Sequence, residues 1–97
     1  MGQITWTAEA ERWLRDIHDY IAADNPAAAG EVVAAIRERA QVLQQFPLIG
    51  QLYAAGGSSV RFLVYSHYRS AYRTKANRDV VIVGVFHGAL EIDRYLL

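Results

Sequence analysis

Apolar residues recur at three- and four-residue steps through two stretches in the first half of the chain, which is the pattern of an amphipathic helix. They are Trp13, Leu14, Ile17, Tyr20 and Ile21 in the first stretch and Ala29, Val32, Val33, Ile36, Ala40 and Leu43 in the second. Thr7 is a suitable N-cap for the first helix, and Asn25-Pro26 can cap and open the second. Phe46-Pro47 ends the second stretch. These features predict a helical hairpin with a tight connection.

The second half of the chain has the composition of β-strands. Three segments rich in β-branched and aromatic residues run from Val60 to Tyr65, Tyr68 to Lys75 and Val80 to His87. A short strand is also expected at 3–6, whereas the glycine-rich "LIGQLYAAGGSS" is expected to be a connection. The predicted fold is α+β: an N-terminal strand and a helical hairpin packed on an antiparallel sheet of three to four strands. The tail, residues 91–97, fits either a helix or an edge strand.

Length and composition narrow the class of protein. The 97 residues suffice for one domain, residues 1–97, with one core. No cysteine is present, which excludes disulfides and thiolate chemistry and suits a reducing cytoplasm. Neither a signal peptide nor a membrane anchor is expected, and no cofactor. Ten acidic and ten basic residues cancel, which argues mildly against a long nucleic acid as the main partner, although a local basic patch is compatible with a neutral total.

Motifs for phosphate binding by a P-loop, for zinc proteolysis and for serine-esterase chemistry do not occur in the sequence. The remaining candidates for chemistry are arginines and one histidine. Strand alternation predicts Arg69 and Arg73 on one face, with Tyr68 and Tyr72 on the other in packing roles. The face that Arg61 occupies depends on whether the turn at Ser66-His67 has an even or an odd length. His87 ends the last apolar strand, where it could be either a hydrogen-bonded terminal residue or a catalytic one.

A series of short motifs extends over nearly the whole chain. They are "YIAADNPAAA" in the helical hairpin, "FP" followed by a glycine, "VR" at the start of a strand, "YRSAYR", and the closing "GVFHGALEIDRYL". Their order and spacing resemble the RelE/ParE superfamily of type II toxin–antitoxin toxins. The resemblance implies a small cytoplasmic toxin that is neutralised by a cognate antitoxin protein. RelE-like members cleave mRNA on the ribosome, whereas ParE-like members inhibit DNA gyrase.

The resemblance to the ribonuclease branch is incomplete. Arg61, Arg69 and His87 match its expected arginines and acid/base group, so they would be the catalytic candidates of a nuclease. Residues 41–59 contain no charged side chain, and Gly88 stands where that branch expects a tyrosine or a similar group. Cleavage by a ribose hydroxyl needs a base and cationic groups for the phosphate. Without a base on that segment, the chemistry would depend on His87, or on Glu91 or Tyr95 in the tail.

We therefore expect a ParE-like protein that acts by binding DNA gyrase, with ribosome-bound mRNA as the alternative target. A domain that binds a partner without any toxicity is a second alternative. Aromatic and arginine residues near the hairpin and the tail are typical of interface hot spots. The candidates for target binding are Arg61, Arg69, Arg73, Arg94 and Tyr95. For each of them, an ordinary surface or packing role is about as compatible with the sequence.

Overall fold

The computed structural model describes residues 2–53 and 59–87. The elements follow in the order β1 (Ile4–Trp6), α1 (Ala8–Ala22), α2 (Pro26–Ala40), a 3-10 turn (Gln41–Gln44), β2 (Gln51–Leu52), β3 (Arg61–Tyr65), β4 (Tyr68–Thr74) and β5 (Val80–His87). The tail lies outside the described residues, so its secondary structure stays a prediction. Over the described ranges, no helix combines the length and the hydropathy needed to cross a bilayer.

Side-chain caps start both helices where the sequence predicts them. The Thr7 hydroxyl accepts a hydrogen bond from the Ala10 N–H at 3.0 Å, and the Asn25 amide oxygen accepts one from the Ala28 N–H at 3.1 Å. Pro26 is the first residue of α2. The α-helical geometry of α2 ends at Ala40, before the end of the apolar periodicity, and the 3-10 turn continues the direction of the chain. The predicted hairpin is therefore confirmed, with a shorter second helix.

The predicted α+β class is confirmed, and the sheet has five strands in the order β1-β5-β4-β3-β2. It is mixed, because β1 runs parallel to β5 while the other neighbours are antiparallel. The sequence predicts the β1 strand but not its pairing with β5, in which Ile4 lies beside Val80. The two-residue strand β2 lies inside the segment expected to be only a connection. These two edge strands account for the difference from the expected antiparallel sheet of three to four strands.

The main core lies between the helices and one face of the sheet. Leu63, Tyr72 and Ile82 from the strands are buried there with Ala10 and Leu43. A second cluster joins the two helices to the sheet through Leu14, Ile36 and Val85. An ion pair between Glu11 of α1 and Arg37 of α2 ties the helices together, and the Arg37 guanidinium lies 5.1 Å above the Trp6 ring.

The opposite face of the sheet, which we call the far face, is also apolar. Val60, Ala71 and Phe86 are buried there, and half-buried apolar side chains pack against them. Alternation along β5, with a register shift between Ile82 and Gly84, explains this: Val80, Ile82 and Val85 belong to the helix-side clusters, and Phe86 belongs to the far-face cluster. The strand β5 is therefore apolar on both faces.

Candidate functional site

The β3–β4 hairpin determines which faces its arginines occupy. Ser66-His67 is a two-residue turn that pairs Tyr65 with Tyr68. Ser66 adopts a φ of 55°, in the left-handed region used by tight hairpin turns. Because the turn has an even length, Arg61 lies opposite Tyr72 on the helix side of the sheet. This answers the question that the sequence left open about Arg61.

Arg69 and Arg73 lie on the far face of the sheet. Arg69 pairs with Val64 of β3 and Phe86 of β5, and Arg73 pairs with Val81 of β5. Arg69 is half-buried and Arg73 is exposed. Among the described residues, neither guanidinium makes a hydrogen bond or an ion pair. Both side chains therefore leave their donors available to a partner.

The centre of the far face, between these arginines, is apolar and buried: Ala71 is 0% exposed and Phe86 3%. Ala71 pairs with Gly84, and a Cβ placed on Gly84 would lie 2.8 Å from the Phe86 ring, so that ring covers the glycine. Val64 of β3, which pairs with Arg69 of β4, is 47% exposed. Arg69 and Arg73 therefore present guanidinium groups with available donors, and arginine is one of the residue types enriched at protein–protein hot spots.

Arg61 differs from Arg69 and Arg73, because its guanidinium forms hydrogen bonds with backbone carbonyls of the protein. Its Nη1 donates to the Gly50 carbonyl at 2.9 Å and to the Leu48 carbonyl at 3.3 Å. The Gly50 N–H in turn donates to the Tyr72 hydroxyl at 2.9 Å. Arg61 and Tyr72 thus bind the carbonyl and the N–H of Gly50, and they fix the position of the segment that leads into β2.

Tyr72 is fully buried, at 0% exposure. Burial raises the pKa of its hydroxyl above the ordinary value, and the hydrogen bond from Gly50 and the charge of Arg61 oppose that shift. The packing role expected for Tyr72 is observed. The half-buried Tyr68 packs in the helix-side cluster and also contacts His87, with ring centroids 5.4 Å apart.

His87 is the exposed last residue of β5, and it pairs with Tyr68. Its ring centroid lies 6.0 Å from that of His67 in the hairpin turn. The register places His87 on the side of the sheet opposite Arg69, since Arg69 pairs with Phe86. Arg61 pairs with Tyr72, four residues along β4 from Tyr68, which is roughly 13 Å at ~3.3 Å per residue. The register therefore does not bring the three nuclease candidates together.

Arg94, Tyr95 and Glu91 lie outside the described residues, and so does Gly88. In residues 2–53 and 59–87, no group of three or more His, Asp or Glu side chains is placed to hold a metal ion.

Opposite charges are segregated along the chain in spite of the neutral total. The segment from Arg61 to Arg78 contains five Lys or Arg residues and no acid. The segment from Glu9 to Glu31 contains six acids and two arginines. The β3–β4 hairpin is thus locally basic and α1 is acidic, although the net charge of the whole chain is zero.

Sequence reasoning missed an exposed apolar patch beside β2. Phe46 is 56% exposed, Leu48 60%, Ile49 53% and Leu52 49%. The stretch "FPLIGQL" carries a detectable signal, because apolar residues are dense in a segment predicted to be a loop. Phe46, Leu48 and Ile49 line one open depression, and Leu52 follows in β2; exposed apolar patches mark interaction surfaces. We call these four residues the β2 patch.

The chain is similar to known proteins over most of its length. A family model described as the ParE toxin of type II toxin–antitoxin system, parDE, matches residues 4–91. The candidate toxin Y4kP of Sinorhizobium fredii (strain NBRC 101917 / NGR234) is 35% identical over 85 residues, which cover 88% of this chain and 86% of that protein.

Solved structures share the fold over almost their whole length. A chain from the chromosomal ParDE system of P. aeruginosa matches with a TM-score of 0.77 at 25% identity, covering 92% of this chain and 98% of that chain. A chain from the RelBE2 toxin–antitoxin complex of Mycobacterium tuberculosis matches with a TM-score of 0.69 at 24% identity, covering 90% and 98% respectively. At that identity the second match concerns the fold alone.

Proposed function

Since the chain belongs to the ParE toxin family of type II toxin–antitoxin systems, we propose that it inhibits DNA gyrase by binding, without chemistry of its own. In this proposal the far face of the sheet, with Arg69 and Arg73, contacts the target in the cytoplasm. A cognate antitoxin holds the toxin inactive until it is removed.

The separation of the nuclease candidates is the observation that carries the proposal. A catalytic site must hold its acid/base group and its phosphate-binding cations around one reacting bond. Here Arg61 is engaged with backbone carbonyls, Arg69 lies on the far face and His87 lies at the end of the sheet on the other side. A binding surface has no such requirement, and Arg69 and Arg73 share one face with donors available.

A DNA supercoiling assay with purified toxin tests the proposed target. We expect inhibition of gyrase, and we expect Arg69→Ala and Arg73→Ala each to weaken it in a graded way, by about 5- to 30-fold in the inhibitory concentration. Loss of one contact reduces affinity, whereas loss of a catalytic group would abolish activity. Arg15→Ala is the matched control, because Arg15 is an exposed arginine on α1, away from the far face.

Two outcomes would count against this target. One is full supercoiling activity at micromolar concentrations of a toxin that circular dichroism shows to be folded. The other is inhibition that Arg15→Ala weakens as much as Arg69→Ala, since the arginines would then act only through total charge.

We further propose that the antitoxin covers the β2 patch and extends the sheet along the outer edge of β2. The strand β2 is the terminal strand of the sheet, so the N–H and C=O groups on its outer edge have no strand partner in the described structure. Backbone pairing at such an edge, with apolar side chains entering the neighbouring patch, is a common mode of peptide recognition. The solved structures with this fold come from toxin–antitoxin systems.

Co-expression with the adjacent open reading frame tests this arrangement. The wild-type toxin should co-purify with its antitoxin, and Leu48→Asp should reduce the complex strongly because it introduces a charge into the apolar contact. Ala34→Asp is the matched control on the exposed surface of α2. Equal loss of complex in both variants, or none in either, would show that the β2 patch is not the contact.

A further inference from the structure

A groove of about 380 Å³ lies between the second half of α1 and the neighbouring end of the sheet. Three aromatic side chains line it: Trp13 and Tyr20 from α1, and Tyr68 from β4. Tyr20 is 84% exposed, so most of its ring is open to solvent beside the groove. The helical spacing from Trp13 to Tyr20 explains why both rings stand on the same side of α1.

The remaining lining combines an apolar wall with one carboxylate. Ile17 and Val85 supply the apolar part, and Asp16 supplies the charge. Among the described residues, the Asp16 carboxylate forms no hydrogen bond and no ion pair. Arg12, one turn earlier in the helix, likewise forms no ion pair with any described residue, Asp16 included. His87 lines the end of the groove, where its ring packs against Tyr68.

This combination suits a long cationic side chain. The faces of aromatic rings attract ammonium and guanidinium groups, and a free carboxylate adds a charge-assisted hydrogen bond. Apolar side chains next to them can receive the methylene groups of lysine or arginine.

The electrostatics of α1 favour a cation at this end of the helix. From Asp16 to Asp24 the chain carries three aspartates and neither lysine nor arginine. The last turn of α1 contains no basic residue, although that is where basic side chains commonly offset the partial negative charge of a helix C-terminus. The groove therefore lies at an acidic end of α1: Arg12 and Arg15 both precede Asp16 in the helix, and Asp19 contacts His18.

We propose that this groove binds a lysine or arginine side chain of the antitoxin, between the aromatic rings and against Asp16. The identity of the partner rests on the proposed function, but the preference of the groove for a cation does not. The contact adds a polar, specific element to the apolar association at the β2 patch.

The groove is tested first without any partner, by NMR titration of the free toxin. The probes are N-acetyl-arginine amide, N-acetyl-lysine amide and the uncharged N-acetyl-norleucine amide. A saturable shift of the Trp13 indole and the neighbouring amides with either cationic probe, and a much weaker one with norleucine, is the expected result. Equal responses to charged and uncharged probes, or no saturable response, would overturn the proposal.

The partner is tested by measuring antitoxin affinity for toxin variants. Asp16→Asn and Tyr20→Ala should each weaken the complex about tenfold. Asp19→Asn is the control: Asp19 is an exposed aspartate of the same helix that interacts with His18 and does not line the groove. If the probes bind but Asp16→Asn leaves the affinity unchanged, the antitoxin side chain is not the occupant. If no antitoxin binds the wild-type toxin, the proposed function fails while the titration still decides the chemistry of the groove.

Discussion

At the scale of single residues, glycines occupy two opposite environments in this protein. A Cβ on Gly50 would clash with the Tyr72 ring and would lie 2.6 Å from the Phe62 carbonyl oxygen. Gly30, on the exposed side of α2, has no atom within 4 Å of the corresponding position. The first glycine is required by packing, whereas the second only lowers helix stability.

The same substitution should therefore have opposite effects at the two positions. Gly50→Ala should destabilise the protein by about 1–3 kcal/mol, because a methyl group must be forced into a filled space. Gly30→Ala should stabilise it by about 0.5–1 kcal/mol through higher helix propensity. Urea denaturation of the two variants beside the wild type measures both. A Gly50→Ala variant as stable as the wild type would mean that the segment before β2 can shift away from Tyr72.

Tyr72 should make stability sensitive to alkaline pH. Burial holds its pKa above the ordinary value of 10.0, so the folded state keeps the proton longer than the unfolded chain does. The contribution is fully present below that value and is lost as the pH rises through the higher pKa of the folded state. Tyr72→Phe should abolish this part of the pH dependence. It should also cost about 1–3 kcal/mol at neutral pH, because the buried Gly50 N–H loses its acceptor.

Denaturation midpoints between pH 8 and pH 11 measure this effect. The control is Tyr20→Phe, because Tyr20 is exposed and its hydroxyl has no partner among the described residues. If Tyr72→Phe lost stability above pH 10 as steeply as the wild type, the other tyrosines would be responsible.

At the scale of elements, an ion pair between α1 and α2 adds to the core packing that holds the helical hairpin together. The Glu11 carboxylate and the Arg37 guanidinium form paired hydrogen bonds across the two helices, and both side chains are 41% exposed. The hydrogen bonds from Arg37 are the main reason that the pKa of Glu11 lies below its ordinary value of 4.5, and burial opposes that shift. Partial exposure screens such a pair, so its contribution is modest.

A double-mutant cycle with Glu11→Gln and Arg37→Met should give a coupling free energy of about 0.5–1 kcal/mol at pH 7. The folded-state pKa of Glu11 is lowered, so the stabilisation is present above the unfolded value and is lost as the pH falls through the folded one. The cycle repeated at pH 3 should therefore show a smaller coupling. A coupling that is unchanged at acid pH would indicate that the hydrogen bonds between the two side chains, rather than the charge of Glu11, carry it.

At the scale of the whole molecule, the sheet separates the three proposed binding surfaces. The far face carries Arg69 and Arg73, the outer edge carries the β2 patch, and the helix side carries the aromatic groove with Asp16. A small toxin can thus present separate surfaces to a target and to an inhibitor. Long-range attraction to partners of opposite charge should be sensitive to salt, because exposed charges are screened within about 10 Å at 0.1 M ionic strength.

The separation of Arg61, Arg69 and His87 also leads us to expect no efficient cleavage of mRNA on translating ribosomes. Primer extension on ribosome-bound transcripts after addition of purified toxin should show no new 5′ ends. If cleavage did appear, and His87→Ala or Arg69→Ala abolished it, the ribonuclease interpretation would replace the gyrase one.

Local sequence determined the helices, the three long strands and the α+β class, because caps and hydrophobic periods act over a few residues. Thr7, Asn25 and Pro26 fixed the start of each helix, and alternation placed Arg69 and Arg73 together. The resemblance of the motifs to the RelE/ParE superfamily identified the family. Tertiary structure decided the parallel pairing of β1 with β5 and the strand β2, because both depend on contacts far apart in sequence. It also decided the even turn that places Arg61 on the helix side, its engagement with Gly50, and the groove where α1 meets the sheet. These depend on the register of strands and on the docking of a helix, which no local pattern encodes.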